Sequence, residues 1–187
     1  MIAPGQVCAV LLAAGRSQRF GPADKLLASI DGVPLVNHIA RRLAGMGFGA
    51  LIAVCCDARV SDLLAEAGFV VADNPAPQLG LSRSLALGIA AVPERCAAAL
   101  VCLADMPRVP TGHLMALLDA FDPAAAPIVA SSRDGQPMPP ALFARAQFAA
   151  LAMQTGDHGA RELLLGARLV AADATQLADI DRPADLA

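Results

Sequence analysis

Short unbroken apolar runs alternate with longer segments of helical spacing along this chain of 187 residues. Val7–Leu12 is a continuous apolar run closed by Gly15, the pattern of a strand buried on both faces. Leu35–Leu43 repeats its apolar residues at helical spacing and stops at the glycine cluster Gly45, Gly47 and Gly49. Further strands are expected at Leu51–Cys55, Phe69–Ala72, Ala98–Leu103 and Ile128–Ser131. Helices are expected from Asp57 or Ser61 to Ala67, over Leu81–Ala91, and from a capping Thr111 to Phe121. After Pro123 the pattern loosens. Pro137, Pro139 and Pro140 punctuate a stretch expected to be irregular, because proline brings no donor to a ladder. Helical runs follow around Ala144–Ala152 and Ala160–Leu165, then a strand at Arg168–Ala171.

Repeated strand–helix units of this kind imply a single α/β domain, Rossmann-like and doubly wound, with a mainly parallel sheet and helices on both faces. Such sheets bind ligands beyond the carboxyl ends of their strands. The turns after Leu12, Ala72, Leu103 and Ser131 are therefore the places to look for chemistry.

Composition narrows the partners. At 56% hydrophobic and 17% charged residues the chain has enough apolar surface to fold, which excludes a disordered protein. Its longest apolar runs, Val7–Gly15 and Cys96–Ala104, fall short of the roughly 20 residues of a membrane span. Met1–Gln6 lacks the basic region of a secretory signal, and Cys8, Cys55, Cys56, Cys96 and Cys102 contain no CxxC spacing. Reduced core thiols in a cytoplasmic protein are the expectation. A net charge of −3 argues against nucleic acid or an anionic membrane as partner, but leaves a small anion open. With 3% aromatics, six Phe and neither Trp nor Tyr, base-stacking platforms are not expected.

The first turn reads Leu12-Ala13-Ala14-Gly15-Arg16-Ser17-Gln18-Arg19-Phe20-Gly21, followed by Pro22-Ala23-Asp24-Lys25. Small residues let backbone amides approach a ligand, while Arg16, Arg19 and Lys25 offer positive charge to phosphates. Lys25 is the only lysine beside thirteen arginines, so a compact ammonium has a specific use at this position. The turn is neither a P-loop, since Gly21 precedes Pro22, nor a Gly-x-Gly-x-x-Gly fingerprint. Gly80 and Ser82 or Ser84 suit the start of a capped helix. In Leu103-Ala104-Asp105-Met106-Pro107 a carboxylate ends a buried strand, where it needs solvent, a partner or a metal. Asp179-Ile180-Asp181 places two carboxylates on one face of an extended segment before Pro183 starts a short helix. Mg²⁺ sites for nucleotides combine one or two carboxylates with substrate phosphates, which Asp105 with Asp181 satisfies, Asp179 being the substitute. His38, His113 and His158 show no ligand spacing and are read as ordinary.

The first loop resembles the signature of the nucleotidyltransferases that transfer a nucleotide onto molybdopterin, and more broadly the nucleoside-triphosphate transferases with Leu-Ala-x-Gly-x-Ser-x-Arg-x-Gly…Lys. The resemblance covers Val7–Leu186 and includes Leu-Ala-Asp-Met-Pro at Leu103–Pro107. It also includes Asn74-Pro75 with Gly80, Ser84 and Leu85, the Asp-Ile-Asp segment, and Gly-Asp-x-Gly-Ala-Arg at Gly156–Arg161. Pro77, Arg182 and the run Met138-Pro139-Pro140 depart from the usual pattern. The resemblance implies the same sheet fold, with residues 1–122 as the nucleotide-binding half and 123–187 as the acceptor side. It implies Arg16, Lys25 and Asp105 as catalytic residues, and Asp105 and Asp181 as Mg²⁺ ligands. Leu12, Ala13, Ala14, Gly15, Arg16, Ser17, Arg19, Lys25, Asn74, Pro75, Gly80 and Ser84 would bind the nucleotide, and Asp157 and Arg161 the acceptor. Leu-Ala-Ala-Gly is similar to the cytidylyl-transferring branch, so Ala14 points to CTP, the base being read by backbone and small side chains around Ala13, Ala14 and Ser84.

The function so implied is transfer of CMP from CTP to the terminal phosphate of molybdopterin with release of pyrophosphate, and delivery to a molybdenum-dependent oxidoreductase. Two alternatives stand beside it. One keeps the enzyme and changes the substrate, to GTP or to another phosphorylated acceptor such as a sugar 1-phosphate. The other is a non-catalytic cofactor chaperone, against which the full set of Lys25, Asp105 and Asp181 speaks.

Overall fold

The computed structural model describes residues 1–15, 20, 24–156 and 159–186. In chain order the strands are β1 (Val7–Ala13), β2 (Ser29–Ile30), β3 (Val33–Pro34), β4 (Ala50–Cys55), β5 (Val70–Asp73), β6 (Ala98–Leu103), β7 (Ile128–Arg133), β8 (Gln136–Ala144) and β9 (Arg168–Ala171). The helices are α1 (Leu35–Ala44), α2 (Ala58–Glu66), α3 (Leu81–Ala90), α4 (Thr111–Ala120), α5 (Phe148–Ala152) and α6 (Arg161–Leu164). Among the described residues seven strands form one sheet in the order β5-β4-β1-β6-β8-β7-β9. All pairings are parallel except those of β8, which runs against both β6 and β7. The expected doubly wound, mainly parallel sheet is what forms. A small hairpin, β2–β3, turns through Asp31 and Gly32, both at positive φ.

The unbroken apolar runs follow from two cores, one on each face. In β1, Val7, Ala9, Leu11 and Ala13 point into a core with α1, α2 and α4, whereas Cys8, Val10 and Leu12 point into one with α3, α5 and α6. Every residue of β1 is buried, so a polar residue is tolerated on neither side. Helix α3 sits close on this sheet because of Gly88. A Cβ there would lie 2.6 Å from Val10 Cγ1 and 3.2 Å from Val54 Cγ2.

Three local expectations are corrected. The proline stretch is a regular strand, β8. The β7–β8 register shifts between Ala130, which pairs with Ala141, and Ser131, which pairs with Met138. Pro139 and Pro140 fall in that break, opposite no β7 residue, so their missing N–H groups leave the ladder with no lost bond. Thr111 does not cap α4: Pro110 holds the cap position and Thr111 is the first helical residue. Neither Ser82 nor Ser84 caps α3, because Gly80, at φ 92°, occupies that position. Asp57 does cap α2, its carboxylate accepting from the amides of Arg59 and Val60. All five cysteines are free. Among the described residues no helix is long and apolar enough to cross a membrane.

Candidate active site

Three distant segments meet beyond the carboxyl ends of β1 and β6. The first starts at Asp24, whose carboxylate accepts from the Leu26 amide and fixes a single helical turn over Lys25–Leu27. Leu26 anchors that turn in the core, and Lys25 is itself buried. The second is the turn after β6. Ala104 and Met106 are buried on either side of Asp105, and the Ala104 amide donates to the Leu12 carbonyl at the end of β1. One guanidinium nitrogen of Arg42 on α1 donates to the carbonyls of both Pro107 and Val109, at 3.0 and 2.6 Å, and clamps the turn. The third is Asp179–Asp181. Ile180 is fully buried, its amide donating to the Asp105 carbonyl at 2.9 Å. The amides of Asp181 and Arg182 donate to Asp185, which closes the segment on itself.

The ammonium of Lys25 joins these segments. Its Nζ donates to Asp105 Oδ2 at 2.7 Å and to Asp181 Oδ1 at 3.1 Å. Burial works against the Lys25 charge, but Asp105 and Asp181 outweigh it and hold the pKa above that of an ordinary lysine. Burial pushes the Asp105 carboxyl above the usual carboxylate range, beyond what Lys25 draws back, and the nearby charge of Asp179 adds to the rise. Asp105 Oδ1 is covered and has no hydrogen-bond partner among the described residues. Two carboxylates within reach of one nitrogen, with Asp105 Oδ1 unpartnered, form a donor set suited to a hard divalent cation. Asp181 turns to Lys25 while Asp179 is exposed, which separates the two carboxylates of the Asp-Ile-Asp segment.

Leu12, Ala13 and Ala14 are buried, and Gly15 is exposed with nothing near the position of a Cβ. Ala14 packs in the α3-side core, so its methyl is used in packing. Asn74 is fully buried: its amide donates to Ser84 Oγ at 3.0 Å and its carbonyl oxygen accepts from Ala76. Asn74 and Ser84 thus tie the loop after β5 to α3, with Pro75 exposed and Gly80 between them. Arg16, Ser17, Arg19 and Asp157 lie outside the described residues. Arg161 opens α6 and lines a pocket of about 310 Å³ with Leu12, Leu81, Leu85, Pro139 and Phe143. Leu12 and Leu103 also line it, so the pocket opens at the ends of the two strands that lead to Lys25 and Asp105. The sequence reading missed the Arg42 clamp, because an arginine on a helix carries no signal of which carbonyls it will meet.

Residues 9–173 match the MobA-like NTP transferase domain family. The chain belongs to that family. This NTP transferase is 35% identical over 170 residues to a molybdenum cofactor guanylyltransferase of Burkholderia vietnamiensis, covering 89% of this chain and 80% of that one. Its structure is similar to that of Rv0371c from Mycobacterium tuberculosis, with a TM-score of 0.83 and 26% identity over 98% of this chain and 96% of that one. A structure of the same mycobacterial protein in complex with manganese matches at a TM-score of 0.78 and 26% identity, over 96% of this chain and 95% of that one. As a member of the family, this chain is a nucleotidyltransferase.

Proposed function

We propose that the protein transfers a nucleotidyl group from a nucleoside triphosphate to the terminal phosphate of a molybdopterin cofactor, releasing pyrophosphate. The convergence of Lys25, Asp105 and Asp181 at the strand ends carries this reading. The acceptor phosphate is already an anion, so attack on the α-phosphorus needs no side-chain nucleophile. What remains for the protein is positioning and charge stabilisation. Lys25 is held charged and desolvated, where an ammonium acts most strongly on the charge that builds on the departing pyrophosphate. Asp105 and Asp181 are the residues that would hold Mg²⁺, and the unsatisfied Asp105 oxygen supports that assignment. The bound cation would supply neutralisation of the phosphates between which the bond breaks. The manganese complex of the mycobacterial relative supports a divalent ion.

The pocket beside this cluster suits the acceptor. Its walls are leucine, valine, methionine, proline and phenylalanine, with Arg161 as a cation for an anionic group. A polyol phosphate would leave several hydroxyls against apolar walls there, which favours a flatter acceptor over a sugar 1-phosphate.

GTP is the favoured donor, supported by the guanylyltransferase name of the Burkholderia relative. CTP is the second reading, resting on Ala14 in Leu-Ala-Ala-Gly. The buried position of the Ala14 methyl weakens it as a direct reader of the base. Pyrophosphate release with molybdenum-loaded molybdopterin, measured with GTP and with CTP, tests the proposal. Release with one triphosphate and only with that acceptor supports it. Release with a sugar 1-phosphate alone overturns it.

A further inference from the structure

We infer that His113 and Ser131 are positioning residues that fix the wall of the pocket by holding the carbonyl of Pro140. The functional consequence rests on the reading of that pocket as the acceptor site.

The break in the β7–β8 ladder leaves Pro139 and Pro140 without β7 partners. Proline has no N–H to lose, but its carbonyl remains, and a buried carbonyl without a donor is costly. Pro140 is buried, and Ser131 Oγ donates to its carbonyl at 2.7 Å. A hydroxyl carries a single hydrogen. Since Ser131 gives it to Pro140, the 2.8 Å contact with His113 Nε2 has one possible direction: the imidazole donates to Ser131. That fixes the tautomer, with the proton on Nε2. Ser131 is fully buried and His113 nearly so, and burial lowers the His113 pKa, in keeping with a neutral ring.

The chain of donors runs from α4, on one face of the sheet, to the break in β8. Pro137 and Met138 just before that break, Pro139 within it, and Ala141 and Phe143 just after it line the pocket. The path of β8 on both sides of Pro140 therefore sets the shape of the wall. Strand pairing holds Pro137 and Met138 to β7, and Ala141 and Phe143 to β6 and β7, but it does not hold Pro139 and Pro140 between them. The pair Ser131–His113 replaces the missing ladder bond.

The variants H113L, S131A and H113Q test this. Glutamine keeps a donor near the place of Nε2, so it should restore what leucine removes. The ¹³C-methyl resonance of Met138, assigned with M138L, reads the wall without any turnover. It should move in H113L and S131A and return in H113Q. An unmoved Met138 resonance overturns the inference. In turnover assays the acceptor KM should rise up to about tenfold in H113L and S131A, the size of one lost buried hydrogen bond, with the nucleotide KM unchanged. Equal changes in both constants would mark a general structural defect and also overturn it. If Met138 responds as expected but the wild type consumes no molybdopterin, the wall assignment stands and the proposed acceptor falls.

Discussion

Lys25 Nζ lies 2.7 Å from Oδ2 of Asp105, eighty residues further along the chain, in a place that neither side chain could occupy alone without a large desolvation cost. Asp181 shares the same nitrogen. Lys25→Ala should reduce pyrophosphate release by about 100- to 1,000-fold, the effect of removing one preorganised charge from the transition state. Far-ultraviolet circular dichroism should remain that of the wild type. Turnover at the wild-type rate in this variant would remove Lys25 from the mechanism.

The two carboxylates of Asp179-Ile180-Asp181 should behave differently. Asp105→Asn and Asp181→Asn should each weaken Mn²⁺ binding measured by calorimetry, because each removes a charged oxygen donor. Asp179→Asn should leave the affinity in place, since Asp179 is exposed and Asp181 faces Lys25. The reverse order would exchange their roles.

Gly88 and Gly112 make opposite predictions for the same substitution. Gly88→Ala would press a methyl against Val10 and Val54, two buried β-branched side chains on strands that cannot withdraw. A loss of about 1–3 kcal/mol is expected in urea unfolding, as for other overpacked cores. Gly112, in α4, is exposed with nothing near a Cβ, so Gly112→Ala should gain about 0.4–1 kcal/mol.

His113 makes stability depend on pH. Its folded-state pKa lies below the usual 6.5 because burial disfavours the charged ring. Protonation therefore favours the unfolded chain, so the contribution is fully present above the unfolded value and is lost as pH falls through the folded one. The urea midpoint should drop between neutral and mildly acidic pH in the wild type. In H113Q that part of the drop should be absent.

The sheet was legible because a strand buried on both faces must be apolar throughout, as Val7–Ala13 and Ala98–Leu103 are. Asp105 and Asp181 were legible as a carboxylate pair, but the ion pairs of Lys25 with both were not, since no local spacing relates residues so far apart. The proline strand was misread because propensity describes a residue in an intact ladder, and here a register shift supplies a place where Pro139 and Pro140 fit. His113 looked ordinary because its partners, Ser131 and the Pro140 carbonyl, come from other elements. Arg42 was invisible for the same reason.

The hydrogen bond from the Ile180 amide to the Asp105 carbonyl makes the last of the three charged groups a latch rather than a wall. Few backbone bonds among the described residues hold the segment after β9, where Leu177 and Ile180 are both buried and Ile180 is the apolar peg beside Asp181. If that peg slips, the sheet keeps both cores and nearly all of its ladder, yet Asp181 leaves the ammonium. Under the proposed mechanism folding and competence are separable. A methyl-sized change at Ile180 should then lower pyrophosphate release while the rest of the molecule still looks native.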